Sequence, residues 1–152
     1  MTQADTPAVM ARTISHVDAE SEAAACYALM RQLRPHLASE QEFIARWRRQ
    51  SESGYRLLAI WDGRRPVALA GYRVMENLVH GRFFYVDDLV TDEALRGSGH
   101  GHALMERLKA EARTLGCAKL VLDTPLINTL GHRFYYREGL LATALRFNIP
   151  LV

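Results

Sequence analysis

Apolar and polar positions change period along the chain, and the changes mark its elements. "ARTISHV" reads as a short first strand. From Asp18 to Leu37 the chain is acidic at its start and basic towards its end, as a helix dipole prefers, and Pro35 ends or kinks that helix. "SEQE" at Ser39–Glu42 is a capping box, in which a serine and a glutamate three residues apart satisfy each other's orphan amides. It opens a second helix to about Gln50. Strand patterns then take over. Tyr55–Trp61, Pro66–Glu76 and Arg82–Thr91 read as three strands, the first two joined by a hairpin turn at Asp62-Gly63. Leu104, Leu108, Ala112 and Leu115 return to helical spacing, with Glu106, Arg107, Lys109 and Arg113 facing water. They predict an amphipathic helix from about Gly99 to Leu115, capped by Gly116. "AKLVLDT" is a buried strand, Asn128–Glu138 a short helix stopped by Gly139, and "ATALRFNIP" a last strand. Antiparallel strands first, then a strand–helix–strand crossover, give a mixed α/β sheet.

Composition narrows the class. The 152 residues, 49% of them hydrophobic, supply one domain over 1–152, with Met1 to about Val9 reading as a loose N-terminus. A net charge of +2, with both signs interspersed, suits an anionic small ligand and is too weak to argue for nucleic acid. No apolar run reaches the length of a membrane span and no signal-peptide pattern is present, so no membrane partner is expected. The two cysteines, Cys26 and Cys117, sit in apolar patterns and read as reduced core residues of a cytoplasmic protein.

Chemistry enters at "LRGSGHGHALMERL", Leu95–Leu108, between a strand and a helix. Such a loop offers unpaired backbone N–H groups and the positive end of a helix dipole. Gly97, Gly99 and Gly101 remove the side chains that would hold an anion off, and Arg96 can add a charge-assisted bond. A Walker A loop would need a lysine, and a dinucleotide fingerprint a third glycine where His102 stands. The glycines alone fit a turn without ligand equally well. His100 and His102 point different ways at a helix start, and no carboxylate or cysteine joins them at ligand spacing, so no metal is expected. In the next helix Asn128, Gly131 or His132, and Tyr135 share a stripe, while Phe134 lies with Leu130 and Ile127 towards the core. Tyr136, rotated roughly 200° from Phe134, faces solvent, which leaves Tyr135 to border a site with Gly131 making room for a ligand.

Taken together, "RGSGHG", the amphipathic helix, "KLVLDT" and "GHRFYYREGL" preceded by Asn128 resemble the GNAT acetyltransferase family. Its pattern is Arg/Gln-x-x-Gly-x-Gly/Ala, followed by Asn-x-x-Ala and Phe-Tyr-x-x-x-Gly-Phe. Arg96, Gly99 and Gly101 match the first motif; Asn128, Phe134, Tyr135 and Gly139 match the second. Gly131 stands where alanine is usual, Leu140 where phenylalanine is usual, and Glu93 where proline often sits. The resemblance implies an α/β fold with a central, mostly antiparallel sheet of six to seven strands flanked by about four helices. It implies acetyl-CoA as co-substrate, its pyrophosphate on the backbone amides of Arg96, Gly97, Ser98, Gly99, His100, Gly101 and His102. The pantetheine arm would pair along Leu89, Val90 and Thr91 where neighbouring strands splay, with Asn128 and Tyr135 beside it. A backbone N–H near Val90 would act on the thioester carbonyl.

Acetyl transfer needs a neutral amine, and an alkyl amine is neutral only on the order of one part in a thousand at pH 7. A base is therefore useful. Asp87 and Asp88 interrupt the apolar run "FFYVDDLV", where carboxylates are disfavoured, and strand alternation sends them to opposite faces. Either serves as base or amine anchor, as the resemblance to diamine acetyltransferases implies, or as structural partner for an arginine. By position and resemblance Tyr135 is the general acid for the departing thiolate. Neither cysteine lies in a motif for a covalent acyl-enzyme, so direct transfer in a ternary complex is expected. The expected function is N-acetylation of a small primary amine. A non-catalytic acyl-CoA-binding module and a protein lysine or N-terminal acetyltransferase are the alternatives. The acceptor is set by loops around Arg34–Gln50 and Asn77–Arg82, where "RWRRQ" reads as a solvated face with Trp47 buried. The apolar strand "LRFNIPLV" is expected to pair with a second chain, giving a homodimer.

Overall fold

The computed structural model describes residues 12–152, so the expected loose N-terminus lies outside the described residues. Five strands form one sheet in the order β1 (Thr13–His16), β2 (Arg56–Asp62), β3 (Arg65–Asn77), β4 (Gly81–Thr91) and β5 (Lys119–Leu122). The first four run antiparallel to their neighbours, and β5 pairs with β4 in parallel. That parallel step needs a crossover, which α3 (His100–Thr114) supplies. α1 (Glu20–Leu33) and α2 (Glu40–Glu52) connect β1 to β2, and α4 (Thr129–Arg137) follows β5.

Alternation along the strands sorts their apolar side chains into two cores. On one face Leu57, Ala59, Trp61, Leu69 and Val90 pack with Ala23, Cys26, Leu29 and Met30 of α1 and Phe43 of α2. On the other, Leu58, Ile60, Ala68, Ala70, Phe84 and Val86 pack with Leu104, Leu108 and Ala112 of α3. Local signals set the boundaries. Ser39 Oγ accepts from the Glu42 amide at 3.1 Å, one half of the capping box read from "SEQE", while the Glu42 carboxylate takes the Ala38 amide at 2.8 Å in place of that of Ser39. α1 stops at Leu33, where Pro35 is expected to end it, because the residue before a proline, Arg34, is driven out of the helical region.

Three expectations are corrected towards the C-terminal end. The sheet has five strands, not six or seven, and "ATALRFNIP" is not a strand: residues 140–152 carry no regular secondary structure. Leu130 and Ile127 do not point to a core; both are exposed, because the described residues place no layer over that side of α4. Tyr136 is exposed as the helical phase predicts.

Candidate active site

β4 carries the site, and an irregularity in it decides which side chains meet. Gly71 of β3 faces Asp88, but the next pair is Tyr72 with Val86, so Asp87 is an extra residue on β4. A bulge of this kind re-aims side chains. It corrects the expectation that alternation puts the two carboxylates on opposite faces: both line one hollow of about 300 Å³, walled by Met30, Arg34, His36, Leu37, Phe43, Arg46, Trp47, Gln50 and Tyr55. Most of these belong to α1, α2 and the loop between them, the loops assigned to the acceptor.

Each carboxylate is held. Arg73 grips Asp87 with two bonds, Nε to Oδ2 at 2.9 Å and Nη2 to Oδ1 at 2.6 Å. Arg34 Nε donates to Asp88 Oδ1 at 3.0 Å, and its Nη2 to the Asp87 carbonyl at 2.8 Å. The buried Tyr55 hydroxyl donates to Asp88 Oδ2 at 2.8 Å. Burial first, then the charge and hydrogen bond of Asp88, raise the Tyr55 pKa well above the ordinary phenol value, so Tyr55 stays a donor. Tyr55 reaches this place because residue 71 has no side chain: a Cβ there would lie 1.9 Å from the Tyr55 oxygen. Sequence reasoning missed Tyr55, Gly71, Arg34 and Arg73. An isolated glycine inside a strand pattern is the signal that marks such a bulge and close approach.

Beyond the bulge β4 loses its outer neighbour. Pairing with β5 ends at Val86–Leu122, so Asp87, Leu89 and Thr91 lie on a stretch bonded to β3 alone, with the other edge open. Asp92 closes β4. Its carboxylate accepts from the Ala94 amide at 3.1 Å and from Arg65 at 2.6 Å, contacts that also hold its pKa below the usual value. The glycine loop follows. Gly97 and Gly99 have φ of +84° and +87°, left-handed values that L residues rarely adopt, and a Cβ at either would meet nothing within 4 Å. Gly99 is the N-cap of α3 and has no side chain to cap it, and the first turn of α3 holds no acidic residue. Its leading amides are thus left for an anion. Arg96 and Ser98 are exposed on this loop.

Gly101 has a different task from its neighbours. A Cβ there would approach Phe134 at 3.2 Å, so this glycine lets α4 press on the first turn of α3. The two histidines part company as their spacing predicts. His100 is buried and accepts from Arg12 Nη1 at 2.7 Å, while exposed His102 lies 2.9 Å from Glu138. The fold does bring two carboxylates near His102: its ring, Glu106 and Glu138 have ligand atoms within 4.8 Å of one another. Lys109 fills that cluster, bonding Glu106 at 2.9 Å and the Glu138 carbonyl at 3.0 Å, as an ion-pair network does.

On α4, Asn128 is the N-cap: its Oδ1 accepts from the Gly131 amide at 3.2 Å and its Nδ2 donates to Thr124 at 3.0 Å. The room at Gly131 serves that cap and not a ligand, since a Cβ would stand 2.3 Å from the Asn128 amide nitrogen. Tyr135 is half-buried, edge-on to Phe134 at 5.5 Å between ring centroids, and burial raises its pKa above the ordinary phenol value. It keeps its proton at neutral pH.

The sequence profile described as the acetyltransferase (GNAT) family matches residues 21–140. The chain belongs to that family. An uncharacterized N-acetyltransferase of Bacillus subtilis (strain 168), YhdJ, is 26% identical over 122 residues, covering 80% of this chain and 86% of its own. Among solved structures, aminoglycoside N-acetyltransferase AAC(6')-Iy in complex with CoA superposes with a TM-score of 0.81 at 15% identity, covering 97% of this chain and 99% of its own. Glucosamine-6-phosphate N-acetyltransferase from Arabidopsis thaliana follows at 0.75 and 19% identity, covering 93% and 99%. As a GNAT N-acetyltransferase, the protein is an acyltransferase with acetyl-CoA as co-substrate. No helix among the described residues is long and apolar enough to cross a membrane.

Proposed function

We propose that this GNAT enzyme acetylates the primary amine of a small molecule by direct attack on acetyl-CoA. The observation that carries the reading is the bulge that turns both Asp87 and Asp88 into one hollow beside the open edge of β4. In this reading the acceptor enters from the α1–α2 side and its ammonium is held by Asp87 and Asp88, either of which takes its proton directly or through a water. The pantetheine arm lies along Leu89, Val90 and Thr91, and the pyrophosphate on the amides from Arg96 to His102. Tyr135 donates its proton to the departing thiolate. Asn128, although it caps α4, keeps a place beside the arm. Burial pushes the Cys26 thiol up to about 12, so it is no thiolate nucleophile at neutral pH, and direct transfer is favoured over an acyl-enzyme.

The pocket's charge narrows the amine. Arg34 and Arg73 already pair the two carboxylates, and His36 and Arg46 line the same wall. A polycation gains little from such a lining. An amine that carries its own anionic or hydroxyl group, as an amino acid or amino sugar does, matches it better. A volume of about 300 Å³ also fits a small molecule. The two free cysteines suit a reducing compartment, and the cytoplasm is proposed as the location.

The test is titration calorimetry with acetyl-CoA, desulfo-CoA and NAD, then thiol release across a panel of amines. Micromolar acetyl-CoA binding with NAD silent, and turnover with amino acids or amino sugars above that with polyamines, is the expected result. Binding of acetyl-CoA without turnover on any amine would point to a binding module, and turnover confined to polyamines would overturn the reading of the pocket.

A further inference from the structure

The hairpin end of β3 and β4 carries a second hollow, of about 250 Å³, that no step of the proposed transfer uses. Register builds it. Met75 faces Phe83, and Arg73 faces Tyr85, which in turn faces Val121 of β5, so these side chains stand in two cross-strand rows on one face of the sheet. Phe83 is buried, but neither core includes it. His80, from the turn between the strands, leans on Phe83 with ring centroids 5.1 Å apart. The Tyr85 hydroxyl donates to Asp123, and burial first, then that bond, push its pKa up to about 12. Tyr85 is thus an uncharged ring, held in place as one wall.

One side chain joins this hollow to the candidate site. Along β3, Leu69, Gly71, Arg73 and Met75 alternate onto the α1–α2 face of the sheet, the face on which Tyr55 meets Asp88. Arg73 stands at the border: its guanidinium grips Asp87 with two bonds, and its Cζ lies 5.7 Å from the Tyr85 ring centroid. Asp87 and Tyr85 are two residues apart on β4, about 6–7 Å at the rise of a strand. That is the span between the amine and the ring of an aromatic amino acid. Asp87 already meets the Arg73 charge, so the hollow attracts no second anion. Its walls are otherwise rings and the apolar Met75 and Val121, with Asn77 at the hairpin end.

We propose that this hollow takes the side chain of the acceptor, and that the acceptor is an aromatic amino acid. Its ammonium rests on Asp87 and Asp88, its carboxylate faces Arg34 and Arg46, and its ring enters between Tyr85, Phe83 and Met75. The inference rests on the reading of Asp87 and Asp88 as the amine's anchor. An α-carbon sends a charged group and a side chain in different directions, as two hollows of different polarity require. An amino sugar, with hydroxyls on every side, would bury polar groups unpaired in the apolar one. A ring set against Tyr85 and Phe83 gains edge-to-face contact beyond the area it buries. Met75, Tyr85 and Val121 thereby determine specificity without touching the reacting atoms.

The test is calorimetry of the full chain saturated with desulfo-CoA and titrated with L-phenylalanine, L-alanine and glucosamine. Phenylalanine is expected to bind about tenfold more tightly than alanine. Met75 is 37% exposed, so Met75→Trp adds its bulk to the hollow and not to a core, and should bring that preference close to nil. Equal binding of phenylalanine and alanine by the unaltered protein overturns the proposal. So does glucosamine bound as tightly as phenylalanine, or a preference that Met75→Trp leaves intact. Should the variant fail to fold, methyl NMR of the unaltered protein decides. A ring-current shift of the Met75 methyl with phenylalanine and not with alanine supports the hollow, and an unmoved methyl overturns it. Thiol release from acetyl-CoA then separates this inference from the reading it rests on. Phenylalanine bound in preference but never acetylated would remove the acetylation of small amines and keep the hollow. Acetylation of alanine and glucosamine, with phenylalanine at no advantage, would keep acetyl transfer and remove the hollow.

Discussion

The region β1–β4 with α1–α3 and the region β5–α4 with residues 140–152 are both rich in apolar residues, yet only the first is closed. Leu58, Leu69, Phe84 and Leu104 are fully buried, because β2, β3 and the paired half of β4 have a neighbour on each side and helices packed over their faces. Ile127 and Phe147 are as apolar and stand almost bare. The contrast teaches that hydrophobicity states a side chain's demand for burial without saying which chain will meet it. It also locates the chemistry. The closed region supplies a floor in β3 and β4, and the candidate site lies at the seam, where β4 leaves β5.

The largest expected effect tests whether the open region contributes to catalysis. Tyr135→Phe should lower turnover about 10²-fold with acetyl-CoA affinity unchanged, read by steady-state kinetics alongside calorimetry. Unchanged turnover would confine catalysis to the closed region. The next tests the floor. Gly71→Ala places a Cβ 1.9 Å from the Tyr55 oxygen, and Tyr55 is buried, so it can clear the clash only by giving up Asp88. A loss of about 1–3 kcal/mol in chemical denaturation is expected, with a higher acceptor KM and an unaltered acetyl-CoA KM. An acetyl-CoA KM that rises equally would show that the bulge shapes the cofactor side as well. Smaller again is Gly99→Ala, whose Cβ meets nothing and whose cost, roughly 1–2 kcal/mol, comes from φ +87° alone. Acetyl-CoA should bind more weakly in calorimetry, and unaltered binding would remove the loop from the phosphate site.

How much of this was legible depends on whether the signal is local. Ser39 and Glu42, Pro35, the left-handed Gly97 and Gly99 and the Asn128 cap all act within one turn of themselves, and each could be read from its neighbours. The bulge at Asp87 has one local signal, Gly71 inside a strand pattern; the rest lies in a distant contact, Tyr55 from just before β2 reaching past Gly71 to Asp88. Alternation, applied without the bulge, parted two carboxylates that the fold brings together. Gly101 and Gly131 were legible as small but not as to why: one admits Phe134, the other Asn128. Leu130 and Ile127 were read as core because helical phase records a face and not the absence of a layer to cover it.

Acid gives the mildest test of the two regions, and it should act on the closed one. His16, bonded to the Tyr72 hydroxyl at 2.9 Å, and His100, against Arg12, both have pKa values lowered from 6.5, chiefly by burial and then by Arg56 and Arg12 respectively. The unfolded chain therefore binds protons at these positions before the folded one does. Their contribution to stability is complete above pH 6.5 and is lost as pH falls through the folded values. Thermal unfolding should show a Tm that holds near neutrality and declines from about pH 6.5 towards pH 5. The double variant H16Q/H100Q keeps a hydrogen-bonding side chain at each place but cannot titrate, and should flatten the decline. A decline equally steep in the double variant would place the acid-sensitive groups outside this core, and the contrast between a closed, self-sufficient region and an open one would lose its pH dependence.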